Sequence, residues 1–119
     1  MSEQWVISGR QPKEGNSVNI TGSISLSAAT SDASGNKNVA SAGTAEPLAA
    51  TATKIISVTV KAKRGNTGNI YVGDSGVSSA NGFILTRGEA ISLDIDDLNK
   101  VYIDADTTSE GVTFISVSD

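Results

Sequence analysis

From Lys54 onward the chain repeats one pattern: short apolar runs of period two, each closed by a cluster of Gly, Asn or Asp. The first run, KIISVTVKAK (54–63), sets Ile56, Val58, Val60 and Ala62 on one face and Ser57, Thr59 and Lys61 on the other. Successive side chains of a strand point to opposite faces, so this alternation is that of a half-buried strand. NIYVG (69–73), GFILT (82–86), AISLDI (90–95), KVYIDA (100–105) and VTFISV (112–117) follow it. The breaks between them, RGNTG (64–68), DSG (74–76), RGE (87–89), DLN (97–99) and TTSEG (107–111), hold the residues that tight turns require. Six such runs at short spacing predict an all-β domain, an antiparallel β-sandwich or small barrel. All four Phe and Tyr residues lie in this half.

The first half reads differently. From Ser27 to Thr53, 19 of 27 residues are Ala, Ser, Thr or Gly, and Val39 and Leu48 are the only large apolar side chains. Such a segment has little to bury against the entropy of ordering it, so it is expected to be mobile by itself. Gly35, Gly43 and Pro47 oppose a helix there. Before it stand two apolar islands, Trp5-Val6-Ile7 and VNITGSISLSA (18–28). The second alternates as Val18, Ile20, Gly22, Ile24, Leu26 and Ala28, which predicts a strand in the same sheet or against a neighbouring chain, with a bulge or close approach at Gly22. The expected organisation is an extended arm or linker over residues 1–53, with one or two short strands, and a β-sandwich domain over 54–119.

Composition narrows the chemistry. Of 119 residues none is Cys or His. That removes disulfides, zinc sites built on thiolate or imidazole, thiol nucleophiles and imidazole bases. The net charge of −4 argues against a nucleic-acid binder that depends on overall positive charge. Apolar runs of three or four residues fall far short of a membrane span, and the opening MSEQW lacks the basic start and apolar stretch of a secretory signal. Charge is uneven along the chain. Residues 1–87 carry 8 basic and 5 acidic side chains, and residues 88–119 carry 1 and 8.

Four groups of residues invite a functional reading. Gly73-Asp74-Ser75-Gly76 copies the letters around a serine-protease nucleophile, but a serine hydroxyl there needs a base and the chain has no His. The reading kept is a β-turn, with Asp74 accepting backbone N–H groups and Gly76 at positive φ. Asp94, Asp96, Asp104 and Asp106 are calcium candidates, because hard carboxylate oxygens suit that ion. If Asp97-Leu98-Asn99 reverses the chain, the two pairs lie on adjacent strands and point outward together; a merely solvated, edge-protecting face would carry the same residues. Trp5, Val6 and Ile7, with Arg10 beside them, form the candidate partner-binding segment, since Trp is enriched at interface anchors. Lys61, Lys63 and Arg64 make a small basic patch without the aromatic platform that nucleic-acid binding uses.

The stretch from Lys54 to the C-terminus resembles a small β module recurrent in structural proteins of tailed bacteriophages. GNIYVG (68–73), SSANGF (78–83), LTRGE (85–89) and SLDIDDLNKVYIDA (92–105) carry the resemblance. It implies a β-sandwich of jelly-roll type, no enzymatic activity, no cofactor and assembly with other virion proteins. The expectation that follows is a capsid decoration (cement) protein on the head surface of a virion, made in the host cytoplasm. Its partners would be the major capsid protein and copies of itself in a homotrimer, with no nucleic acid, membrane or small-molecule substrate. A tail or fibre adaptor, or a β domain that binds host carbohydrate, are the alternatives.

Overall fold

The computed structural model describes residues 28–119. Eight strands and one short 3-10 helix make it up: β1 Ser31–Asn38, β2 Glu46–Pro47, β3 Ser57–Ala62, β4 Ile70–Gly73, β5 Phe83–Leu85, β6 Ala90–Leu93, the helix Leu98–Lys100, β7 Tyr102–Ala105 and β8 Gly111–Ser118. They form two four-stranded antiparallel sheets, ordered β1-β8-β3-β6 and β2-β7-β4-β5. β4 and β5 are the one pair of consecutive strands in the same sheet; every other connection crosses to the opposite sheet. The six runs expected from Lys54 onward correspond to β3 through β8.

One core lies between the sheets. Val58, Val60, Ala62 and Val112 come from the first sheet, and Ile70, Val72, Leu85, Ile103 and Ala105 from the second. These are the alternate residues of their strands, so the period-two pattern of the sequence marks the faces that meet in the core. β3 is a clear case: Val58, Val60 and Ala62 are buried while Lys61 is exposed. Ile56 departs from its expected face. It precedes the first residue of β3 and is exposed, and the neighbouring Ile55 enters the core in its place.

The boundary expected at residue 54 is not where the domain begins. β1 and β2 both lie before it, and Val39 and Leu48 are buried in the same core. The reason is the partner, not the composition. β1 (SDASGNKN) has almost no apolar content, yet each of its eight residues is paired with one of β8, from Ser31 with Ser118 to Asn38 with Gly111. The segment after β2 is held by the β6–β7 crossing. The Leu48 amide donates to the Val101 carbonyl (2.8 Å), and the Leu98 amide to the Thr53 carbonyl (2.9 Å). Asp97 Oδ1 accepts from the amides of both Thr53 and Asn99, each at 2.9 Å, and so caps the short helix. Asn99 Nδ2 donates to the Ala49 carbonyl (2.8 Å). The expected arm is therefore part of the domain from β1 onward; residues 1–27 lie outside the described residues.

Gly111 shows how closely β1 and β8 approach. A Cβ there would overlap the Lys37 carbonyl oxygen and the Asn38 Cα, both backbone and unable to rotate away. Asn66, itself buried, binds the same glycine from the other side: its Nδ2 donates to the Gly111 carbonyl at 2.9 Å. Two substitutions test these points. Gly111→Ala is expected to destabilise by about 1–3 kcal/mol through overpacking. Leu48→Ala should cost about 2–5 kcal/mol by leaving a cavity. Urea unfolding of the two variants measures both. A Leu48→Ala midpoint equal to that of the parent chain would return residues 39–53 to the status of a linker.

Candidate partner-binding surface

The two sheets differ in what covers them. On the outer face of the second sheet, Tyr71 and Asp104 stand opposite each other on β4 and β7, and both are buried although they point away from the core. Loops cover them. The amide of Gly43, in the β1–β2 connection, donates to Asp104 Oδ1 at 2.9 Å, and the Ala42 amide donates to Thr108 Oγ1 at 3.1 Å. From the β4–β5 connection, Gly82 packs on Tyr71 so tightly that a Cβ would overlap the Tyr71 Cβ. The buried Val77 similarly fills the space above Gly73.

Among the described residues the first sheet has an open outer face. Its rows follow from the register: Ser34, Ile115, Thr59 and Ser92 in one, Asn36, Thr113, Lys61 and Ala90 in the next. Side chains in these rows are short, and Thr59 and Ser92 share a hydrogen bond of 2.8 Å across β3 and β6. A shallow depression of about 570 Å³ runs over them. Ile115, 46% exposed, lines it, and among the described residues Lys61 supplies its only charged lining side chain. A face of small hydroxyl side chains around one aliphatic residue suits broad contact with another protein better than enclosure of a small ligand. On the edge strand of the other sheet, Phe83 (56%) and Ile84 (51%) are exposed side by side.

The acidic candidates are not brought together. Asp97-Leu98-Asn99 does not return the chain to a neighbouring strand; it carries it from β6 in one sheet to β7 in the other. Asp94 and Asp96 follow β6 and are exposed, with Asp96 paired to Lys100 at 2.8 Å. Asp104 is buried in β7 and holds the Gly43 amide. Asp106 accepts from the Asn69 amide (3.1 Å) and the Tyr71 hydroxyl (2.7 Å). Among the described residues no three acidic side chains are grouped to hold a metal ion. Gly73–Gly76 is a turn, as expected: Asp74 Oδ1 accepts from the Gly76 amide at 3.0 Å, and the Val77 amide donates to the Asp74 carbonyl at 3.0 Å. Gly76 does not take positive φ, because the Asp74 side chain closes the turn; Gly43 and Gly88 are the positive-φ glycines among the described residues. Trp5, Val6, Ile7 and Arg10 lie outside the described residues.

Many carboxylates in this domain serve as loop staples. Glu110 accepts from the amides of Thr67 (2.7 Å) and Gly68 (3.0 Å) and from the Thr67 hydroxyl (2.8 Å). Those two N–H groups hold its pKa below the ordinary value, with Gly68 the larger cause. The Ala40 amide and then the Lys37 ammonium, 2.9 Å away, do the same for Glu46. The Thr86 amide does it for Glu89, and the amides of Thr53 and Asn99 for Asp97. Conversely, donation to Asp106 raises the Tyr71 hydroxyl above its usual value. The staples with distant partners, Glu110 to Thr67 and Gly68 and Asp97 to Thr53, leave no local signal in the sequence; the short-range ones, Glu89 to Thr86 and Asp97 to Asn99, lie within turn clusters.

Because these carboxyl pKa values are depressed on folding, the stability they supply is present above the unfolded values, 4.5 for Glu and 3.8 for Asp, and is lost as pH falls through the folded ones. The melting temperature is therefore expected to be flat near neutrality and to fall below about pH 4.5. Glu110→Gln should lower it at pH 7 and flatten the acid limb. An unchanged acid limb in that variant would show that Glu110 is no staple.

No protein-family model, no curated protein and no solved structure matches the chain.

Proposed function

We propose that this chain is a structural protein of a tailed-bacteriophage virion, a decoration (cement) protein that binds and stabilises the outer surface of the head lattice. In this reading the domain is a jelly roll that assembles as a homotrimer with the major capsid protein as its partner. The observation that carries the reading is the strand order. Eight antiparallel strands in two sheets ordered β1-β8-β3-β6 and β2-β7-β4-β5 support a jelly-roll reading, in which two Greek keys interlock. That architecture recurs in viral capsid and lectin domains, so it supports the virion reading by analogy of fold and leaves function to be argued from surfaces.

The surfaces favour adhesion. The open face of the first sheet, which carries Ile115, is broad, shallow and edged by hydroxyl side chains. The β1–β2 and β4–β5 connections, which cover the opposite face, are fixed by hydrogen bonds to the sheet and to their own turns. A lattice multiplies such contacts: many weak copies on one shell give avidity that a single site of this kind lacks. The carboxylate staples would keep the loops ordered while the domain projects from the shell.

The copy number per virion tests the proposal. Quantitative mass spectrometry of purified particles should give about one chain per major capsid chain, or a fixed small fraction of it set by lattice symmetry. A handful of copies per particle would move the chain to the tail or a fibre. Ile115→Arg is expected to weaken binding to shells at least tenfold while leaving the melting temperature within about 2 °C, because the site is on the surface. Binding equal to that of the parent chain would remove this face from the interface.

A further inference from the structure

The β4–β5 connection holds the one Asn-Gly pair of the chain, Asn81-Gly82, and the fold gives both residues work to do. At Gly82 a Cβ would overlap the Tyr71 Cβ and stand 2.9 Å from both the Ser78 carbonyl oxygen and Val77 Cγ2. Asn81 ties two turns together. Its Oδ1 accepts from the Ser78 amide at 2.8 Å, and its Nδ2 donates to the Gly76 carbonyl at 3.2 Å. The Gly82 amide donates to the Ser78 carbonyl at 2.9 Å. Asparagine is a labile residue, and a following glycine makes it more so, because no side chain hinders attack by the next backbone nitrogen. Packing against Tyr71 thus forces a reactive pair into the cover of the second sheet.

We infer that Asn81-Gly82 is a self-modification site held shut by the fold: Asn81 deamidates from an opened β4–β5 connection, which then no longer closes over Tyr71. The reaction needs only water. The Gly82 nitrogen gives up its proton and attacks Asn81 Cγ, the Cγ–Nδ2 bond breaks, and ammonia leaves with that proton. Water then opens the five-membered succinimide. Cleavage of the new Cγ–N bond leaves aspartate; cleavage of the original backbone C–N bond leaves isoaspartate, with the chain running through the former side chain. In the closed connection both reacting groups are committed elsewhere. The nitrogen's N–H is bonded to Ser78, and the carboxamide is turned back to Ser78 and Gly76, so both sets of bonds break before attack. Local opening supplies that state. Either product replaces the Nδ2 donor with a carboxylate oxygen facing the Gly76 carbonyl, an acceptor against an acceptor. Isoaspartate also lengthens the backbone by one methylene just before Gly82, where Tyr71 and Val77 leave no room. This inference stands without the virion reading, since it concerns the chain alone.

Peptide mapping by mass spectrometry tests it on the full parent chain, incubated at mildly alkaline pH with and without guanidinium chloride. In denaturant Asn81 is expected to be the first asparagine to deamidate, since it alone precedes a glycine. Without denaturant its rate should be at least tenfold lower, because attack waits on opening of the connection. Val77→Ala removes the buried side chain packed on Gly73 and Gly82, and should raise the native rate several-fold while leaving the denatured rate unchanged. The deamidated chain, separated by its extra negative charge, should melt below the parent chain. Equal rates with and without denaturant overturn the inference, since the bonds to Ser78 and Gly76 would then hold nothing shut. Faster deamidation of another asparagine in denaturant, a Val77→Ala native rate equal to that of the parent, or a deamidated chain that melts with the parent overturns it as well.

Discussion

The pairing of β8 with strands on both of its sides holds the rest of the domain together. All eight of its residues face β1, and six of them, Val112 to Val117, face β3 as well. β1 comes from the least apolar part of the described chain and β3 from its most regular alternating run. A single strand thus joins a segment with no capacity to fold by itself to one with a clear buried face. Gly111, at the start of β8, has no room for a side chain against Lys37 and Asn38 of β1, and its carbonyl accepts from the buried Asn66.

The crossings between sheets divide the labour of the two outer faces. Connections β1–β2 and β4–β5 fold over the second sheet and bury Tyr71 and Asp104, which makes that side a finished surface. Among the described residues nothing covers the outer rows of Ser, Thr and Asn on the first sheet, with Ile115 among them. Acidic side chains contribute to this order through backbone amides more than through ion pairs. Exposed ion pairs such as Asp96–Lys100 contribute little in water, whereas a carboxylate that gathers two loop amides fixes a conformation. The chain has no histidine or cysteine, and among the described residues the outer face of the first sheet carries a broad, shallow depression.

Residues 54–119 were legible because each strand has one face in a common core, and burial writes period two into the sequence. Val58-Thr59-Val60-Lys61-Ala62 is that rule in its simplest form. Residues 28–53 were not legible for the converse reason. β1 is an edge strand whose residues are mostly exposed, so nothing in SDASGNKN records a buried face, and its structure comes from β8, more than seventy residues away. Val39 and Leu48 were the only trace: two large aliphatic side chains isolated in a small-residue segment are both in the core. The acidic cluster misled for a topological reason. A turn at Asp97-Leu98-Asn99 was readable, but the sequence does not distinguish a hairpin from a crossing between sheets, and the crossing separates Asp94 and Asp96 from Asp104 and Asp106.

If β8 unites the domain, β1 and β3 must open together. Native-state hydrogen exchange of the full chain measures this amide by amide. The β8-bonded amides of β1 are expected to share the slowest, global opening with those of β3 and β8. Exchange of β1 at loop rates, while β3 and β8 stay protected, would contradict it and leave β1 as an appendage of a smaller domain.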